Sequence, residues 1–238
     1  MSQFTAAIRE LGCEIDEAYD AEIRLNKETL RDIDVLILAS NQRRFDAKEA
    51  ATVNAWVRAG GGLVAWSDSA FGGLWKKVGV DNELGRLSDN DLTEPFGMYF
   101  MTDNGAGNYL VKKYEKDHFI NANERDGGIG FRGEGVSVVR VSPPAEMLAR
   151  LQHGGLGGGI RLNKKDGKID PDRDAALAVA SVGKGRVIGV FDRNPFWNAG
   201  EGTQLSHADN REFTQRLVIW AAGLEREWNK RSKGDGAR

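Results

Sequence analysis

A strand-helix-strand pattern near the amino terminus limits the folds open to this chain more than any other feature. The run Asp34-Val-Leu-Ile-Leu-Ala39 is short and apolar after its acidic start, as a strand buried on both faces must be. Polar Ser40-Asn41 follows, and then a helical segment. In it Asp46 and Glu49 have capping-box spacing, Ala50, Val53, Trp56 and Val57 share one face, and Gly60 supplies the stop. Gly60-Gly-Gly-Leu-Val-Ala-Trp66 then reads as a second buried strand. Two such strands joined by a helix form a parallel pair, and open parallel sheets collect ligands at the carboxyl ends of their strands. Ser40, Asn41, Ser67, Asp68 and Ser69 stand at those ends and are the first candidate ligand-binding residues.

The rest of the chain supplies more helices and strands around this unit. Ser2 can cap a helix whose residues Phe4, Ala7, Ile8 and Leu11 fall at i, i+3, i+4 and i+7 before Gly12, and Cys13 to Ala18 reads as a short strand. An α/β domain of this kind ordinarily opens with a strand, so a further strand upstream, with or without an export signal, is an open expectation. From about 79 to 174 the pattern loosens into Gly-rich pieces such as Gly154-Gly-Leu-Gly-Gly-Gly159, read as a long insertion that extends the sheet through Val136 to Val141 and Met147 to Leu151. Ala175 to Ser181, the turn Gly183-Lys-Gly185 and Arg186 to Phe191 read as an antiparallel hairpin that delivers Asp192. Ser206 and Asp209 can cap a last helix on which Phe213, Leu217, Trp220 and Ala221 share a face, ended by Gly223. Residues 1–223 therefore form one α/β domain, with 224–238 as a charged, frayed tail.

Composition removes several function classes. A formal charge of -2 gives no field for nucleic acid or an anionic membrane, and no apolar run approaches the roughly 20 residues that span a bilayer. Cys13, the single cysteine, can form no internal disulfide, and no Cys/His set has zinc spacing. Asp170, Asp172 and Asp174 alternate like the first ligands of a calcium loop. Ala175 and Ser181 then stand where its glycine and bidentate glutamate belong, so the segment reads as a solvated acidic loop. No metal and no cofactor are expected, and the default location is the cytoplasm.

Several strings resemble the class I glutamine amidotransferase-like superfamily, and within it the trehalose-utilisation-like (ThuA-like) proteins. They are Asp34-Val-Leu-Ile-Leu-Ala39, Trp56-Val-Arg-Ala-Gly-Gly-Gly62 with Leu63-Val-Ala-Trp66, Asp117-His-Phe-Ile120, Gly183-Lys-Gly-Arg-Val187, Asn210 and Trp220-Ala-Ala-Gly223. The resemblance implies a three-layer, flavodoxin-like α/β fold with a mostly parallel sheet. It also implies, in active amidotransferases, a nucleophilic cysteine just after the strand matching Gly62 to Trp66. Ser67-Asp68-Ser69 occupies that turn here, so glutamine hydrolysis is not expected. Related branches are associated with carbohydrate breakdown.

Two places carry candidate chemistry. Asp68, between two serines at a strand end, can meet sugar hydroxyls or act as an acid or base; alternatively, it caps the next helix. A serine nucleophile is disfavoured because Ala65 and Ser69 replace the glycines of a nucleophile elbow. The second place is Asp192-Arg-Asn-Pro-Phe-Trp197 with Asn198, Glu201, His207, Asp209 and Asn210, a polar and aromatic cluster of the composition that sugar sites use. Here too a local alternative stands: Asp192 and Asn194 organise the loop, Asp209 caps the helix, and Phe196 and Trp197 belong to the core. The expected catalytic residues are Asp68, His207 and Asp192. The expected ligand-binding residues are Ser40, Asn41, Ser67, Ser69, Asn194, Trp197, Asp209 and Asn210. Three functions follow: an amidotransferase-like domain lacking the catalytic cysteine that binds a sugar or other small polar ligand, a sugar-processing hydrolase, or a scaffold packing on a partner enzyme or on further copies of itself.

Overall fold

The computed structural model describes residues 2–18, 22–39, 43–67, 88–101, 104–110, 113–115, 117–121, 132–136, 138–150, 170, 172–198, 204–207 and 209–235. The strand-helix-strand unit is present as read: β1 (Val35–Ala39), α2 (Ala47–Ala59) and β2 (Gly62–Trp66), preceded by α1 (Ser2–Arg9). Asp46 accepts from the backbone N–H groups of Lys48 and Glu49 while the Glu49 carboxylate accepts from the Asp46 N–H, closing the capping box. β1 and β2 pair in parallel from Val35↔Gly62 to Ala39↔Trp66.

The hairpin strands β9 (Asp174–Val182) and β10 (Gly185–Val190) continue the sheet, with β10 parallel to β2 and antiparallel to β9. Beyond β9 every described pairing is antiparallel. β8 (Glu146–Arg150) and β7 (Val139–Val141) both bond β9, β3 (Met98–Phe100) bonds β7, and β5 (Lys113–Tyr114) bonds β8. β4 (Asn104–Leu110) and β6 (Arg132–Val136) form a separate two-stranded ribbon. The sheet is therefore mixed, with parallel pairing confined among the described residues to β1, β2 and β10, and the expected mostly parallel sheet is corrected. The reason is connection length. A parallel neighbour needs a crossover of about a dozen residues or more, whereas β9 and β10 are joined by a tight turn at Gly183-Lys184 that forces an antiparallel return.

Helices cover both faces. Leu63 and Ala65 of β2 face the cluster under α2, with Val53, Val57 and Leu38. Val64 and Trp66 face the other cluster, under α1 and α4 (Asn210–Ala221), with Phe4, Ile8, Phe213 and Leu217. This alternation is the period-two signature of a strand buried on both sides. At the amino ends of the parallel strands the packing is too close for side chains. A Cβ on Gly185 would stand 1.8 Å from the Val57 carbonyl oxygen, and one on Gly62 would stand 2.4 Å from that of Ala221. A short helix α3 (Asn90–Thr93) precedes β3, and residues 225–235, expected as frayed tail, form helix α5 (Glu225–Asp235). Arg186 ties α5 to β10, donating to Glu225 at 2.5 Å and to the Trp220 carbonyl at 2.6 Å.

Candidate functional site

The register of the three parallel strands sets the site. Ala39, Trp66 and Val190 lie side by side as the last residues of β1, β2 and β10, so Ser67 and Asp192 leave the sheet at the same edge. Ser67 is 2% exposed and Asp192 is fully buried. The Ser67 hydroxyl donates a short hydrogen bond to the Asp89 carboxylate, itself buried. Asp89 is the residue that sequence reasoning missed. It enters from the loosened middle of the chain, just before α3. The run Ser88-Asp89-Asn90-Asp91 was its only signal, and a run of that composition usually marks a turn.

The neighbours of Asp89 show why it is fixed. Asn90 is buried, and its side-chain amide donates to the Phe100 carbonyl at 2.8 Å while accepting from the Phe100 N–H at 2.6 Å, which docks α3 onto β3. Thr93 donates to the Asp89 carbonyl. Asp91 accepts two hydrogen bonds of 2.7 Å from Arg44 and one from the Phe45 N–H, joining α3 to the start of α2. The carboxylate facing Ser67 is thus carried on a segment fastened to both the sheet and α2.

The segment after β10 divides between structure and surface. Phe196, in the single turn Asn194–Phe196, is fully buried and stacks on Trp66 with ring centroids 4.1 Å apart, with Phe4 edge-on. Trp197 is 40% exposed, so the core alternative holds for Phe196 and fails for Trp197. The Arg193 guanidinium lies 4.7 Å from the Trp197 ring centroid. Asn198 accepts from the Gln3 N–H at 2.9 Å and donates to Ser2 Oγ at 3.0 Å, so this predicted sugar-cluster residue holds the start of α1.

Asn210 is buried and donates to the Gln204 carbonyl at 2.9 Å, closing the turn that carries His207. His207 is half-buried, and its carbonyl accepts from the Asn210 N–H. Asp209 stands at the cap position of α4 but makes no side-chain capping bond, which corrects that expectation. Ser40, Asn41, Asp68, Ser69 and Glu201 lie outside the described residues, as does His153.

The acidic loop reading is also corrected. Asp174 is buried and paired with Arg140 through two hydrogen bonds of 2.8 and 3.0 Å, and it accepts from the Asp170 N–H at 2.7 Å. Among the described residues no group of three or more His, Cys, Asp or Glu is arranged to hold a metal ion, and no described helix is long and apolar enough to cross a membrane.

A mixed sheet between helical layers, with buried hydroxyl and carboxyl groups at the ends of its parallel strands, defines a three-layer α/β domain with a polar centre at the usual ligand edge. The chain belongs to the DUF4350 family, described as a domain of unknown function, whose profile matches residues 9–218. Solved structures of similar fold include the cytoplasmic protein STM3548 from Salmonella typhimurium, with TM-score 0.60 and 11% identity over 92% of this chain and 85% of that one. The mmIFT52 N-terminal domain matches at TM-score 0.59 and 13% identity over 92% and 90%. A protein described as ThuA-like from Bacteroides uniformis matches at TM-score 0.52 and 13% identity over 92% and 83%. Comparison with curated proteins finds no match.

Proposed function

We propose that this DUF4350 domain is a version of the amidotransferase-like fold that lacks the catalytic cysteine and binds a small polar ligand, a sugar or sugar derivative, at the carboxyl ends of β1, β2 and β10. The observation that carries the reading is the buried Ser67–Asp89 pair. Where the resemblance puts a thiol nucleophile, this chain has a hydroxyl whose proton is directed at a carboxylate. That arrangement offers fixed acceptors and donors to a hydroxyl-rich ligand and no thiolate for acyl transfer. Trp197, exposed in the segment that follows β10, supplies the flat apolar surface that sugar rings cover. The ThuA-like neighbour and the trehalose-utilisation resemblance support a carbohydrate as the ligand class. A second reading, a sugar-processing hydrolase using Asp68 with Asp192 or His207, is favoured by the complete burial of Asp192 at this edge, where a carboxyl withdrawn from water suits acid-base work.

The test is a thermal-shift screen against mono- and disaccharides followed by calorimetric titration of any stabilising sugar. Trp197→Ala should lose about tenfold or more in affinity while keeping the fold. No stabilising saccharide, or one that Trp197→Ala binds unchanged, overturns the sugar assignment. Product analysis of the bound sugar separates binder from hydrolase. Ammonia release from glutamine should stay at background.

A further inference from the structure

The first turn of α1 holds residues that stand next to the candidate site in the chain. Phe4 is buried, with its ring edge-on to Trp66 at 5.6 Å between centroids and to Phe196 at 6.0 Å. Asn198 accepts from the Gln3 N–H, an orphan donor of the helix start, and donates to Ser2 Oγ. Trp66 is the residue before Ser67, and Phe196 and Asn198 are the two chain neighbours of Trp197. One helical turn therefore grips both the strand end that presents the buried hydroxyl and the short segment that presents the exposed ring.

The helix depends on this docking as much as the segment does. At 8 residues α1 is below the roughly 12 to 15 that an isolated helix needs in water, so packing keeps it helical. Its apolar face is Phe4, Ala7 and Ile8, all buried, while Ser2, Gln3 and Ala6 are exposed. Its other end is fastened to α4, where Gln215 donates to the Ala7 carbonyl at 3.0 Å and Arg211 pairs with Glu10. Lifting α1 strips Phe4 from the Trp66–Phe196 stack and takes the backbone and hydroxyl partners from Asn198 at the same time. Trp197 lies between the two residues so released.

The geometry points to α1 as a clamp on the proposed sugar site: the docked helix holds the Trp197 segment in its binding position, and occupancy of the site in turn holds the helix down. This clamp rests on the binding reading and adds a means of regulating it. Two equilibria that share one segment are linked, and the linkage is reciprocal. A saccharide that binds only while Phe196 and Asn198 are seated therefore stabilises α1 against opening by the factor by which an open helix weakens binding. Any event that lifts α1 off α4 and Asn198 then releases the saccharide.

The probe is whichever of glucose, mannose, galactose, trehalose and maltose most stabilises the intact chain against heat, held at about ten times its dissociation constant while amide hydrogen exchange is followed. Exchange in α1 should slow by about tenfold, whereas α5, which makes none of these contacts, should exchange as before. Asn198→Ala should weaken binding by about threefold or more, and Asn198→Asp, which keeps an acceptor for the Gln3 N–H, should recover most of the loss. Binding that depends on Trp197 but leaves α1 exchange unchanged overturns the clamp and leaves the sugar reading standing. Slowing that α5 shares equally is global stabilisation and overturns the clamp as well. If none of these saccharides binds, the sugar reading falls and the clamp falls with it.

Discussion

Replacing Glu49 by glutamine should cost the fold about 3 kcal/mol at neutral pH, and the structure gives both the size and the acid profile of that loss. Glu49 sits in the first turn of α2 with its side chain 5% exposed. It accepts from Arg43 at 2.6 and 2.8 Å, from the Leu25 N–H at 3.0 Å and from the Asp46 N–H at 3.2 Å. Burial pushes its carboxyl up, but these hydrogen bonds and the charge of Arg43 outweigh burial and hold its pKa at about 2, against an ordinary 4.5. At about 1.4 kcal/mol per unit, the difference between 4.5 and 2 gives the figure above. The folded value lies below the unfolded one, so this stability is fully present above pH 4.5 and is lost as pH falls toward 2. Glutamine keeps the shape but loses the charge and half of the acceptors, leaving Arg43, 17% exposed, without its main counter-charge. Urea unfolding of both proteins from neutral pH to about pH 2 measures the effect, and the variant should lack the part of the acid loss that Glu49 supplies. A variant within about 0.5 kcal/mol of the parent at neutral pH, or an unchanged acid slope, refutes the reasoning.

Three further predictions follow from burial and pairing. Phe196→Ala should lose about 3 to 5 kcal/mol by urea unfolding because it empties a site stacked on Trp66, whereas Trp197→Ala, half-exposed next door, should lose about 1 to 2 kcal/mol. Arg140→Ala should cost about 3 kcal/mol by leaving the buried Asp174 carboxylate without its guanidinium, and Arg140→Ala with Asp174→Asn should recover part of it in a double-mutant cycle. His118 packs against Trp220, and burial lowers its pKa while Glu225 opposes and Arg186 reinforces the shift. The unfolded state then binds the proton more readily, so stability should fall as pH drops through the ordinary histidine range, and His118→Gln should flatten that part of the profile in urea midpoints.

What the sequence disclosed depended on the range of the interaction. The capping box at Asp46 and Glu49 and the hairpin around Gly183-Lys-Gly185 are local, and they appear where the spacing put them. The direction of the outer strands was not local. Nothing in Val139-Arg-Val141 states which neighbour it will bond, and both of its partners, β3 and β9, lie more than thirty residues away in sequence and run antiparallel to it. Tail residues from Glu225 onward read as solvated because of their charge. Their first residue forms an ion pair with Arg186, a residue 39 positions earlier, and no local pattern announces that contact. The placement of Ser67 and Asp192 at one edge of the sheet was legible because each follows a buried strand. Asn198 and Asn210 hold loops through their side-chain amides, contacts that the sequence does not announce because sugar sites and loop-holding amides draw on the same residue types.

The two ends of the parallel core are packed differently, and the contrast bears on the proposed binding reading. At the amino ends, Gly62 and Gly185 let α2, α4 and the hairpin turn press against the strands with no room for a Cβ, and Arg186 there is taken up by Glu225 and the Trp220 carbonyl. At the carboxyl ends the strands stop level with one another, and Ser67, Asp89 and Asp192 bring hydroxyl and carboxyl groups into the interior. Burying such groups costs stability unless they are satisfied, and an apolar edge would have been easier to fold. The fold nonetheless commits α3 to the task, fastening it through Asn90 to β3 and through Asp91 to Arg44, with the result that the Asp89 carboxylate meets Ser67. A domain that needed only to pack on a partner has no use for that investment in a fixed carboxylate at the strand ends, which is why the binding reading stands ahead of the scaffold.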